Sequence, residues 1–262
     1  MSHAEESPPA FTPAHQRLEP THPFRRYGYA ILRPQDGSGF DRIRCRFSDF
    51  MLRNLADFSA HNGGLAEVDR ADFDLPKYHE FIAKNGIDHH AFVKSISRAL
   101  PTDWCDDAYV GEMVRSASVY LGFPLRIYSK KIEFRVVRPH ALDNNPLHRD
   151  HWFPYFIPLI NIYLPICGSH CDSALKIVPG SHMWTDEEVI PTFGYDEGRK
   201  TIRGGVAYSV PEIKTCTRDM ATHRPDILPG DFMIFSPKAV HGGGDNQSLD
   251  TRFSFEIRLE PT

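Results

Sequence analysis

The chain has no apolar run long enough to cross a bilayer. Its most apolar stretch, residues 152–166, is broken by Pro154, Pro158 and Pro165 and falls short of the ~20 apolar residues a membrane helix needs. Nor is there an excess of basic charge. The 30 lysines and arginines are mixed with 34 aspartates and glutamates, for a formal net charge of −4, which leaves no electrostatic footprint for a polyanion. Neither a membrane nor a nucleic acid is therefore expected as a partner. Cysteine is scarce, at positions 45, 105, 167, 171 and 216; an odd, scattered set fits a reducing compartment better than a disulfide framework. The N-terminal segment lacks the basic start and apolar core of a secretion signal, so the expected location is cytoplasmic. Cys167, His170 and Cys171 come close to a zinc-ligand spacing, but they lie in a Gly-Ser-containing turn with no second ligand pair, and the spacing is read as coincidence.

Length sets the next bound. At 262 residues the chain can bury one large core, and one domain is the default. Residues 1–23, rich in Pro, His and Glu, are expected to be a disordered tail, and 24–262 a single domain. Between 41 and 59 the residues Ile43, Phe47, Phe50, Met51, Leu55 and Phe58 recur every three or four positions, which predicts a helix with one apolar face. Asp88 is placed to cap a second helix running to Leu100 before Pro101. Asp103 is placed to cap a third that carries Val110, Met113, Val114, Ala117 and Leu121 up to Gly122. Residues 41–122 thus form a helical support.

After Pro124 the texture changes to short β-branched and aromatic runs punctuated by turn residues. Strands are expected at 132–137, 147–152, 159–164, 174–178, 232–235 and 251–259. The last alternates most clearly, with Phe253, Phe255, Ile257 and Leu259 on one face and Arg252, Ser254, Glu256 and Arg258 on the other. Helices followed by a run of strands give an α+β chain whose sheets form a sandwich or jelly roll over residues 125–262, buttressed by the helices. Within it, 181–228 has weak periodicity and several glycines. So long an insertion is usually functional, and it is expected to act as a lid over the substrate.

The chemistry centres on Leu147-His148-Arg149-Asp150-His151-Trp152. On an extended strand His148 and Asp150 share a face and can hold one metal ion together. A histidine from a distant strand would complete a 2-His-1-carboxylate triad of the kind that leaves Fe(II) with open positions, and His241 is the candidate. Arg252 suits the grip of a carboxylate beside the metal, and Ser254, two residues on, can donate a hydroxyl hydrogen bond to the same group.

These spacings resemble the Fe(II)/2-oxoglutarate-dependent dioxygenases, and within them the phytanoyl-CoA dioxygenase-like (PhyH) branch. The resemblance runs from about Phe134 to Leu259. It rests on His148-Arg149-Asp150, Val178-Pro179-Gly180-Ser181-His182, Pro229-Gly230-Asp231, and His241 followed by Arg252. It implies a double-stranded β-helix (jelly roll, cupin-like) core. It also implies Fe(II) on His148, Asp150 and His241, and the far carboxylate of 2-oxoglutarate on Arg252 with Ser254. Fe(II) and the co-substrates 2-oxoglutarate and O2 would then hydroxylate a small polar metabolite of amino-acid, sugar or natural-product type, releasing succinate and CO2. The presence of Asp150 argues against halogenation, because halogenating relatives lack the acidic ligand. Desaturation, cyclisation and epimerisation begin with the same hydrogen abstraction and stay open.

Other residues carry two readings each. Asn161 and Tyr163 share a strand face and are candidates for the co-substrate, or a satisfied polar pair in a sheet. Arg135 is a candidate for the substrate, with a solvated sheet edge as the alternative. Trp152 would continue the His148 and Asp150 face and wall the pocket, or pack in the core. His151 points to the opposite face, and His182 is read as a hydrogen-bonding turn residue. Residues 242–244, all glycine, would allow close backbone approach near the metal or form a flexible turn. Two rival classes remain: a catalytically silent cupin-like module that binds a metal or sugar, and a zinc-dependent isomerase or hydrolase.

Overall fold

Most of the helices precede most of the strands, in the order the sequence texture predicts. The computed structural model describes residues 13–62, 73–96, 100–143, 145–194, 197–203 and 206–262. A 3-10 turn leads into α1 (Pro23–Tyr27), β1 (Tyr29–Leu32), α2 (Gly39–His61), α3 (Tyr78–Lys84), α4 (His89–Ser95) and α5 (Ala108–Leu121). Then come β2 (Leu125–Val137), β3 (Ile160–Cys167), β4 (Lys176–Ile177), β5 (Val189–Pro191), β6 (Thr201–Arg203), β7 (Val206–Tyr208), β8 (Ile213–Cys216), β9 (Phe232–Phe235), β10 (His241–Gly242) and β11 (Arg252–Pro261).

The main sheet is antiparallel with strand order β1-β9-β3-β11-β2. Against it stands a short ladder of β10 and β4, extended by single bridges between His148 and His241 and between Ile177 and His223. The two layers make a jelly roll with helices on its outer side, an α+β fold of the expected class. Alternation decides which side each residue serves. Phe253, Phe255, Ile257 and Leu259 of β11 join the large core with residues of α2, α3, α4 and α5, whereas Tyr163, Met233 and Phe235 turn inward to a smaller cluster with Leu175, Ile177 and Ala239. β3 and β9 are buried on both faces for this reason. At the centre of the outer layer the fully buried Phe47 meets the rings of Phe134, Phe253 and Phe255 edge-on at 5.3, 5.4 and 5.0 Å, a favourable arrangement of aromatic quadrupoles.

Several boundaries differ from the sequence reading. The Asp88 carboxylate does cap its helix, accepting from Ala91 N at 2.7 Å, but α4 ends at Ser95 and the Leu100 N–H donates to Ile132 O of β2 at 3.0 Å. The sheet edge has captured the segment's end; residues 97–99 lie outside those described. The cap of α5 is Asp107, which accepts from Tyr109 N at 2.9 Å, and not Asp103, which lies in a 3-10 turn and pairs with Arg46 at 2.5 Å. That turn lets Trp104 bury under the Arg46 guanidinium. Residues 13–23, assigned to the tail by composition, pack here: Ala14 and His15 are buried, and the His15 ring meets His182 at 5.0 Å. Residues 1–12 of the expected tail lie outside those described. The 181–228 segment carries two antiparallel pairs, β5 with β8 and β6 with β7.

Two expected outcomes follow from this packing. Phe47→Ala will lower equilibrium stability in urea by about 3–5 kcal/mol, as for other buried Phe-to-Ala changes, whereas Val119→Ala at an 81 % exposed position will stay within about 0.5 kcal/mol. Burial lowers His15 from 6.5 to about 3 and His182 from 6.5 to about 4. The unfolded chain therefore binds more protons than the native one between these values, and stability rises with pH across that window. Thermal midpoints of the metal-free protein will fall as pH drops from 6.5 toward 4, and less steeply in a His15→Gln variant.

Candidate metal centre

His148 and His241 come together because their backbones pair. His148 N donates to His241 O at 2.8 Å and His241 N to His148 O at 3.0 Å, and the two imidazoles face each other with centroids 4.4 Å apart. Each ring is fixed from behind: Nδ1 of His148 bonds the Pro146 carbonyl at 2.7 Å, and Nδ1 of His241 bonds the Ala239 carbonyl at 2.9 Å. A carbonyl only accepts, so Nδ1 carries the proton and the Nε2 lone pair points at the common space. The close approach needs a glycine next in line. A Cβ on Gly242 would stand 2.7 Å from Pro146 O, the same oxygen that anchors His148.

Asp150 reaches this space by a different route from the one alternation suggests. Residues 147–152 are not a strand; His148 makes an isolated bridge and Asp150–Trp152 is a 3-10 turn. The turn still brings Asp150 Oδ1 to 3.3 Å from His148 Nε2 and 3.9 Å from His241 Nε2. The donor atoms of the three buried residues lie within 4.8 Å of one another. Asn161 donates to Asp150 Oδ2 at 2.8 Å, which leaves Oδ1 directed at the histidines. Burial opposes ionisation of Asp150, but the two histidines and Arg258 outweigh it and hold the carboxyl well below its usual range. Burial also lowers His241 to about 4, with His148 adding to the effect, so this ring is neutral near pH 7 and available as a ligand.

The triad opens on a cavity of about 240 Å³ whose lining includes Arg135, Asn161, Tyr163, Arg252, Ser254 and Phe156. Arg252 is 2 % exposed and donates to Ser173 O at 2.7 Å, while its Nε has no partner. Ser254 is fully buried, and its Oγ also lacks one. Orphaned donors of this kind cost folding free energy unless a ligand satisfies them. Arg135 reaches the cavity with its charge taken up by Glu256, at 2.7 Å. Tyr163 lines the cavity, and its hydroxyl lies 3.2 Å from Ser169 Oγ.

Trp152 is a correction. With 150–152 turned into a 3-10 helix it no longer shares the face of His148, and it packs instead against the small cluster of Val178, Val189 and Val240. His151 points away from the three donors and bonds Asp186 at 2.8 Å, and His182 bonds Arg25 O at 2.9 Å. Cys167, His170 and Cys171 do not gather as metal donors among the described residues. Sequence reasoning assigned no site role to Glu256 or Arg258, although both stand on the same alternating face as Arg252 and Ser254 and line the cavity. That alternation was the signal. It missed the aromatic wall of Phe153, Tyr155 and Phe156 altogether, because the residues come from irregular backbone with no period.

No curated protein matches the sequence. Among solved structures, the chain is similar to the non-heme monooxygenase ThoJ in its apo form (13 % identity, TM-score 0.55, covering 93 % of this chain and 77 % of that one). It is similar to AviO1 from Streptomyces viridochromogenes Tue57 (16 % identity, TM-score 0.52, covering 91 % of each). It is also similar to the epimerase SnoN, solved with Fe3+, alpha ketoglutarate and nogalamycin RO (16 % identity, TM-score 0.50, covering 94 % of this chain and 83 % of that one). These likenesses establish the shared fold. The family description of phytanoyl-CoA dioxygenase (PhyH) matches residues 24–254, nearly the whole chain, and the chain therefore belongs to this family of non-haem oxygenases that use iron, 2-oxoglutarate and O2.

Proposed function

We propose that the protein hydroxylates a small-molecule metabolite, with Fe(II) held by His148, Asp150 and His241 and the far carboxylate of 2-oxoglutarate held by Arg252 and Ser254. One observation carries this reading. A His-Asp-His donor set and two buried, unpartnered hydrogen-bond donors, Arg252 Nε and Ser254 Oγ, line the same cavity. The imidazoles and carboxylate suit Fe(II), and an orphaned guanidinium N–H beside a hydroxyl suits a dicarboxylic acid. A silent metal- or sugar-binding module has no use for the second feature. Nor does a zinc hydrolase.

Iron and 2-oxoglutarate together supply the activation of O2 and the oxidant that removes a hydrogen from the substrate. The protein's own contribution is placement. The Pro146 and Ala239 carbonyls hold the imidazole tautomers, and Asn161 holds Asp150 Oδ2, so that one carboxylate oxygen is left for the metal. Arg252, braced by Ser173 O, fixes the co-substrate's orientation. Phe153, Tyr155 and Phe156 wall the other side, and Ser209 and Val210 from the 181–228 segment complete the lining. In this reading the segment is a lid that excludes bulk water while the substrate reacts.

The test is an anaerobic titration of the protein with Fe(II) and 2-oxoglutarate. A weak visible charge-transfer band will form in the wild type and be absent in His148→Ala. In Arg252→Ala the 2-oxoglutarate affinity will fall roughly tenfold to a hundredfold, the cost of losing a charge-assisted hydrogen bond. Admitting O2 will convert 2-oxoglutarate to succinate. No band and no succinate would sink the reading. Once a substrate is found, 18O2 will put one labelled oxygen into the product; an unlabelled, desaturated or epimerised product would overturn the hydroxylation part alone.

A further inference from the structure

The charges around the cavity do not all find partners of their own. Arg135 is paired with Glu256 at 2.7 Å and lies 3.6 Å from Glu133. Asp143 takes two bonds from Arg138, at 2.7 and 3.1 Å. Arg252 is committed to Ser173 O and the co-substrate. Arg258 is different. The one carboxylate within 4.0 Å of it among the described residues is Asp150, whose Oδ2 lies 3.6 Å away and already accepts from Asn161. Its Nε has no partner, and its guanidinium sits over the Phe156 ring at 4.2 Å. Under the metal-site reading above, a divalent ion draws on the Asp150 charge and leaves Arg258, whose side chain is 18 % exposed, with no carboxylate of its own within 4.0 Å among the described residues, an unfavourable state for a largely buried cation.

The geometry keeps this cation apart from the co-substrate anchor. Arg258 and Arg252 share a face of β11 but are six residues apart, roughly 20 Å between their backbone positions along an extended strand, and Arg258 is the one that lies against Asp150, at 3.6 Å. Arg258 and Phe156 also belong to the lining of a second cavity of about 190 Å³, with Tyr128, Ser129, Lys131 and Glu133, so the pair forms a wall common to both spaces. A planar guanidinium stacked on one ring still presents its N–H edge, the edge that binds carboxylate or phosphate with two parallel bonds. Beside it Phe153, Tyr155 and Phe156 offer an apolar surface, with Tyr155 51 % exposed at the rim.

We propose that Arg258 binds a carboxylate or phosphate group on the primary substrate, whose apolar or aromatic body lies against Phe153, Tyr155 and Phe156. The assignment rests on the oxygenase reading of the same cavity and narrows its substrate class from polar to anionic. It also shifts the charged substrate contact from the candidate Arg135, whose charge Glu256 takes up, to a residue on the same strand face as Arg252.

Calorimetry on the full chain tests it. The protein is loaded with Mn(II), which replaces Fe(II) without redox turnover, and saturated with 2-oxoglutarate so that Arg252 is occupied. Benzoate, phenyl phosphate and neutral benzamide are then titrated separately at millimolar concentration. At least one of the two anions will bind and benzamide will not, and the tighter anion names the oxyanion preferred. In Arg258→Gln the anion affinity will fall about tenfold or more, a clearly larger loss than any in 2-oxoglutarate affinity, and retained 2-oxoglutarate binding reports that the variant is folded. Arg258→Lys, which keeps the charge but not the fork, will give an intermediate loss. The proposal is overturned if neither anion binds, if benzamide binds as well as benzoate, if Arg258→Gln leaves anion binding intact, or if it weakens 2-oxoglutarate as much as the anion. Failure of 2-oxoglutarate itself to bind the Mn(II) protein would instead count against the oxygenase reading, so the two failures are told apart.

Discussion

Two backbone hydrogen bonds between His148 and His241 hold the site in place, because they bring together residues far apart in the chain and do so rigidly. A side-chain cluster on its own would have to bring two imidazoles together at an entropic cost for every rotor. Here a single rung of β-ladder fixes both Cα positions, and a carbonyl two residues before each histidine fixes its ring. Gly242 is part of the same constraint. The Pro146 backbone passes so close that any side chain at 242 would push away the oxygen that orients His148. The rung is held on the opposite side by β4, which pairs with β10, so the His148–His241 pair sits on the short layer of the jelly roll and Arg252 and Ser254 on the long one.

That division explains why the helices matter to a site they do not touch. β11 presents Arg252, Ser254, Glu256 and Arg258 to the cavity only because Phe253, Phe255, Ile257 and Leu259 are pinned on the other side. A slip of one residue would exchange the two sets. The rings of Phe47, Tyr78 and Trp104 lock Phe253 and Phe255 into the helical layer, so the register of β11 is set by apolar contacts from the first half of the chain. Buried charge is tolerated on the inner face for a related reason. Burial favours the neutral form of Glu256, but the adjacent Arg135 keeps it ionised, and the pair is held by neighbouring strands of one sheet, β2 and β11.

Much of this was legible in the residue order wherever a period existed. The alternation in β11 and the three-and-four spacing in α2 identify both elements within two or three residues of their ends. His148, Asp150 and His241 could be picked out from residue type and order, and the structure brings their donor atoms within 4.8 Å of one another. His148 and Asp150 nevertheless converge without the strand that alternation predicts. A strand was inferred where the chain makes a bridge and then a 3-10 turn, and Trp152, placed by that inference, faces elsewhere. Short turns leave no periodic trace, and the same gap hid α3, a seven-residue helix following a proline-containing 3-10 turn. The cap of α5 was misassigned because Asp103 and Asp107 are equally good N-cap residues in sequence; only the burial of Trp104 between them decides which is used. Arg258 was visible as a face residue, but its significance depends on which carboxylates the other arginines have taken, and that is a property of the folded charge set.

Arg149 stands between His148 and Asp150, is fully buried, and donates to Ser181 O at 2.6 Å and Trp184 O at 3.1 Å, with Asp186 at 3.2 Å. His151 bonds the same Asp186. One short segment therefore alternates metal donors with residues that grip the base of the 181–228 insertion. Ser181 contributes from the other side, its hydroxyl donating to Val178 O and its Oγ accepting from Val240 N, next to His241. A bare guanidinium buried among carbonyls is costly to leave unsatisfied, so the 181–186 turn cannot peel away without exposing Arg149 to that cost, and it cannot shift without pulling on residues adjacent to all three donors. The fixed base of the insertion therefore ends near residue 186, before β5 and β8 begin their separate pairing, and that base is tied to the residues flanking His148, Asp150 and His241.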